Sequence, residues 1–176
     1  MPKYFTRHGH ELYQRAVARQ HERLKAVQRT AGEAAGASYD WHDNFAYEDA
    51  RRNTELESQR LAVMAAALAG AIVFDPPEQD SVIRIGSTAL LLETSEVGDE
   101  RLLEITIGAF GETRPALGLV SYESPLGACL LGKNVDDRAI LPVGPSTKSY
   151  RVKAIHPPSY RYRDLLYRLA DEDSPD

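Results

Sequence analysis

The chain has 176 residues, an apolar share of 43% and a formal charge of −5, which suits one ordinary soluble domain or two small ones. Residues 1–30 carry seven Lys/Arg against only Glu11 and Glu22, so the first segment is basic and the remainder acidic enough to reverse the sign. That balance disfavours non-specific binding to free nucleic acid, which needs a clustered positive face, but leaves room for a local basic surface.

In chain order, the first segment places Tyr13, Val17, Gln20, Leu24, Val27 and Ala31 at alternating steps of four and three. This is the seam of a coiled coil with one polar member. After a break at Gly32–Asp43, the rhythm resumes with Tyr47, Ala50, Thr54, Glu57, Leu61, Met64, Leu68 and Ala71. Two helices with matching seams and a short connection pack most simply as an antiparallel hairpin. At ~1.5 Å per residue, some 27 residues make a rod of about 40 Å with little core, whose tip projects into solvent. The run around Leu61–Phe74 is alanine-rich, too short and too amphipathic to cross a bilayer, and the N-terminus lacks the apolar stretch of a signal peptide. A cytoplasmic protein without a membrane partner is expected.

The connection itself reads YDWHDNFAYEDARR over residues 39–52. Turn formers and a helix cap explain Asn44, Asp43 or Asp40, since either carboxylate suits the positive end of a helix. A tryptophan and a second carboxylate are more than a turn requires. Further on, FDPPEQD stops the second helix, because Pro76 and Pro77 cannot continue it. A domain boundary is placed near residue 75.

Beyond it the pattern changes to short strands at Val82–Ile85, Ala89–Thr94, Leu102–Ile107, Leu119–Tyr122, Arg138–Pro142 and Tyr150–Ile155, punctuated by glycines. Residues 124–133, SPLGACLLGK, suit a short helix with Pro125 near its start and Gly132 near its end. The second unit, residues 76–157, is therefore predicted to be a mostly antiparallel α+β domain. Cys129 has no possible internal disulfide partner and no adjacent charge to lower its pKa, so it reads as a small buried hydrophobe. Residues 158–176 add a short amphipathic helix through Leu165, Leu166 and Leu169, expected to pack on the second domain.

Five stretches together resemble the Gre transcript cleavage factors of bacterial RNA polymerase, the GreA and GreB group and its non-cleaving relatives. They are YFTRHGHELYQ at 4–14, YDWHDNFAY at 39–47, IGSTALLLE at 85–93, SPLGACLLGK at 124–133 and YRVKAI at 150–155. The resemblance covers roughly residues 4–156. It implies an α+β protein with an N-terminal coiled-coil hairpin at 1–75 and an FKBP-like C-terminal domain without prolyl isomerase activity. It also implies that the hairpin enters the polymerase's secondary channel. There two tip carboxylates help to hold a second Mg2+, and the polymerase hydrolyses the displaced 3′ end of its own RNA. Magnesium keeps several waters, so one or two visiting carboxylates suffice.

Carried over residue by residue, Asp40 matches the family's aspartate and Asp43 stands at the position of its glutamate. Aspartate ends about 1.5 Å nearer the backbone, a displacement that can cost on the order of 10²-fold in rate. Trp41 and His42 replace a leucine and a serine. Trp41 either stacks on an RNA base, wedges against the channel wall or packs under the turn. Arg51 lies where the family has a basic residue facing the RNA 3′ end, with Arg52 beside it; the alternative is a pair of solvated charges offset by Glu48, Asp49 and Glu55. Ser124, Pro125 and Leu126 match the segment that docks on the polymerase, and Ser124–Pro125 is equally a helix start. The expected protein is a monomer that stimulates cleavage without catalysing it alone. Its rivals are a Gre-like inhibitor that keeps the binding and loses the chemistry, and an autonomous metal hydrolase using Asp40, His42 and Asp43. An exposed tip offers the hydrolase no pocket that excludes water.

Overall fold

From Arg7 to Ala37 the chain forms one helix, α1, and from Phe45 to Ala69 a second, α2. The computed structural model describes residues 2–37, 45–78 and 81–172, with the side chains of 34–37, 46 and 167–172 outside that description. Within α1 the expected seam is sheltered: Gln20 and Leu24 are buried, and Tyr13, Val17, Val27 and Ala31 half-buried. In α2 the half-buried set Ala50, Thr54, Glu57, Leu61, Met64 and Leu68 continues it, with buried Ala67 beside it. Gln20 reaches across the seam, its amide donating to the Glu57 side chain and to the Glu57 carbonyl at 3.3 Å. A polar seam residue in register with a polar partner fixes one alignment of two helices that apolar contacts alone would let slide.

The second helix ends earlier than expected. Ala69 is its last residue, Gly70 turns the chain, and Ala71–Phe74 forms a strand, β2, that pairs with β1, Lys3–Thr6. Ile72, Val73 and Phe74 are β-favouring residues, and pairing satisfies a backbone that a helix running into Pro76 would leave unpaired. Neither strand was legible as one from periodicity.

Residues Tyr4–Gly9 and Val73–Asp176 make the second unit; Met1–Lys3 and His10–Ile72 make the first. The sheet of the second unit has the order β5-β4-β3-β7-β6, with β3 Thr88–Thr94, β4 Glu100–Gly108, β5 Leu119–Ser121, β6 Arg138–Val143 and β7 Ser146–His156. All pairings are antiparallel except β4 with β5. A 3-10 turn, Pro115–Leu117, precedes β5, and the short helix α3, Pro125–Leu130, follows it. The expected strand at Val82–Ile85 is not formed. Val82 makes an isolated bridge to Asn134, and Ile83 exchanges backbone bonds with Lys133 and Gly132. Gly86, at φ +97°, then turns the chain directly into β3.

Alternation along β3 sends Ala89 and Leu91 into a core with Ile83, Ile107, Leu130, Ala139 and Val152, against which Leu126 and Cys129 of α3 pack. The Cys129 thiol donates to the Leu126 carbonyl at 3.2 Å, and burial pushes its pKa up, which fits a small hydrophobe and not a nucleophile. A second cluster forms where Tyr162 and Leu165 of α4, Pro158–Glu172, bury against Leu119.

Candidate functional site

The residues singled out in the sequence fall into two groups, one in each unit. Asp40, Trp41, His42 and Asp43 lie outside the described residues, as does the candidate cap Asn44. What the structure describes of the hairpin site is the beginning of α2, where Arg51 and Arg52 are both exposed. Two of the three acids expected to offset them are engaged otherwise: Asp49 accepts from the Asn53 amide at 3.2 Å, and Glu55 from the Gln59 amide at 3.3 Å. Among the described residues neither guanidinium forms an ion pair. A guanidinium without a carboxylate partner keeps its five donors for an external phosphate or carboxylate.

Arg51 also lines a shallow groove of about 510 Å³ between the helices, with Gln28 and Ala31 of α1 and Tyr47, Thr54 and Ser58 of α2. Its walls carry amides, hydroxyls, one aromatic ring, the Ala31 methyl, the Arg51 guanidinium and the Glu55 carboxylate. Such a lining can hydrogen-bond and stack on a polar ligand, but it holds no buried acid–base pair, and no group of three metal-ligating side chains occurs among the described residues.

In the sheet unit, Ser124 is the N-cap of α3: its hydroxyl accepts the Gly127 N–H at 3.0 Å and donates to the Ser121 carbonyl at 2.7 Å. Pro125 occupies the first helical position, where its missing N–H costs nothing. A Cβ on Gly127 would run into the Ser121 carbonyl oxygen, so only glycine allows the helix to start this close to β5. Pro125 and Ala128 face solvent, while Leu126 points back to the core. Of the three residues expected to dock, Leu126 is thus partly spent on packing, and Pro125 is the side chain offered outward.

A hairpin with exposed guanidiniums on its second helix, followed in the chain by a five-stranded α+β unit with a proline-started helix beside its edge strand, defines a two-part protein. The description "Transcription elongation factor, GreA/GreB, C-term" matches residues 78–157. The transcription elongation factor GreA of a Nitratiruptor species is 34% identical over 134 residues, 75% of this chain and 79% of that protein. The GreA of Chlorobium phaeovibrioides is 30% identical over 158 residues, 86% of this chain and 95% of the relative. A solved structure, the GreA factor homolog 1 (Gfh1) protein of Thermus thermophilus, is 23% identical, covers 89% of this chain and 99% of its own, and has a TM-score of 0.43. The chain belongs to the GreA/GreB family of transcription elongation factors.

Proposed function

We propose that the protein binds bacterial RNA polymerase as a monomer, inserts its hairpin into the secondary channel and stimulates cleavage of backtracked RNA. The observation that carries this reading is the pair of exposed guanidiniums, Arg51 and Arg52, one to two turns of α2 behind the acidic connection. A cation there holds a phosphate of the RNA 3′ end while the carboxylates work ahead of it. Ser124, Pro125 and Leu126 supply the docking contact on the other unit.

Asp40 and Asp43 are the residues that would hold Mg2+, whose hard-cation preference for oxygen suits two carboxylates. When bound, that ion supplies activation of a water and charge neutralisation at the scissile phosphate. The protein is not an enzyme on this reading, because the rest of the catalytic apparatus belongs to the polymerase. Trp41 adds a ring that can stack on an RNA base.

The test is an assay on stalled, backtracked elongation complexes with the wild-type chain and its Asp40→Ala, Asp43→Ala and Asp43→Glu forms. Shortened RNA that is lost in both alanine forms supports cleavage stimulation, and a rate increase in Asp43→Glu would measure the cost of the shorter side chain. Slower elongation without shortened RNA would sink the cleavage reading and leave a channel-blocking regulator.

A further inference from the structure

The most heavily buried acid among the described residues of the sheet unit belongs to no motif singled out above. Glu112, in the turn after β4, is 3% exposed. Its carboxylate accepts the Ala109 N–H at 2.8 Å and the hydroxyls of Thr6 and Tyr162. Among the described residues the titratable groups facing it are His8 and Tyr162. No lysine or arginine pairs with it there. Burial raises the pKa of Glu112 and keeps the Tyr162 phenol protonated well above its ordinary value, so the phenol acts as a donor.

The three donors come from three different stretches. Thr6 is the residue before α1, and its hydroxyl also accepts the Gly9 N–H at 3.0 Å, capping the helix's first turn. Those first N–H groups have no partner within the helix. A Cβ on Gly9 would collide with the Glu112 carboxylate, so the helix start and the acid are in direct contact. The Phe110 N–H donates to the Tyr4 carbonyl at 2.8 Å, which ties the lead-in to the same turn. Tyr162 belongs to α4, which begins at Pro158, just past the stretch that matches the family description.

We propose that Glu112 and Tyr162 are positioning residues: through the Tyr162 hydroxyl, the C-terminal helix clamps the carboxylate that holds Thr6 and the first turn of α1. The C-terminal extension is then part of the device that holds the first turn of α1. Its functional arm rests on the polymerase reading; its structural arm does not.

Amide hydrogen exchange on the full chain tests the clamp. Tyr162→Phe keeps the ring among Leu119 and Leu165 and removes only the hydroxyl. About tenfold faster exchange over residues 5–11, with β3 and β7 unchanged, is the expected result. Thr6→Val reproduces that acceleration, and Thr6→Ser, which retains a hydroxyl, does not. Unchanged exchange over residues 5–11, or equal acceleration across β3 and β7, overturns the proposal. In polymerase assays Tyr162→Phe lowers the maximal effect and leaves the half-saturating concentration unchanged, whereas a rise in that concentration alone would contradict a positioning role. A wild-type chain inert on polymerase would refute the functional reading, while the exchange experiment still decides the clamp.

Discussion

The hairpin and the sheet unit are held together by opposite means. Between its helices the hairpin buries Gln20, Leu24 and Ala67 and half-buries most of the rest of its seam, leaving Tyr47 exposed. The sheet unit fully buries Ile83, Leu91, Ile107, Leu130 and Val152 in one cluster. A rod gains little from burial and keeps nearly all its side chains available to a partner; a layered sheet gains much and offers only its rims. The difference teaches where each kind of residue can sit: binding cations on the rod, and a desolvated acid only where a core can hold it.

Truncation of packed side chains should separate the two most widely. Leu91→Ala is expected to cost about 2–5 kcal/mol in denaturant unfolding of the full chain, against ~1 kcal/mol for Val27→Ala at the half-exposed seam. Equal costs would show that the hairpin is better packed than its exposure indicates.

Two buried acids of the sheet unit, Glu93 and Glu112, sharpen the comparison through pH. Burial pushes the pKa of Glu93 upward, but the donors Arg101, Tyr150 and Lys148 outweigh it and leave the carboxyl below its ordinary 4.5. Its contribution is therefore present above pH 4.5 and lost as pH falls through the lowered value. Glu112 is raised above 4.5 by burial. Its contribution is complete below 4.5 and declines as pH rises through the raised value. In urea unfolding across pH, Glu112→Gln should flatten the slope just above 4.5, and Glu93→Gln the slope below it. A slope above 4.5 that survives Glu112→Gln would assign the titration to another group.

Smaller effects follow at the sites. Ser124→Ala removes the cap of α3 and should cost about 1 kcal/mol, read as a lower midpoint of thermal unfolding. Arg51→Ala and Arg52→Ala should change stability by less than about 0.5 kcal/mol, since neither forms an ion pair among the described residues. The same pair should weaken cleavage on backtracked complexes, and a stability loss without that weakening would make them structural charges.

Composition and periodicity determined the coiled-coil seam, the α+β character of the second half and the proline-started helix at Ser124, because each is a local pattern of side-chain spacing; the family was legible only as a resemblance of short motifs to a known one. Gln20 and Glu57 were readable as polar seam positions, and the structure makes them partners. Tertiary structure alone decided that Ala71–Phe74 is a strand and that Val82–Ile85 is not. Both segments carry β-favouring residues, and what separates them is whether a second strand lies alongside. It alone also disclosed Glu112, an acid with no motif around it, whose importance comes from donors at Thr6 and Tyr162 that are 106 and 50 residues away. Spacing along a chain encodes the faces of helices and strands; which distant donors a buried charge will meet is fixed only when the core closes around it.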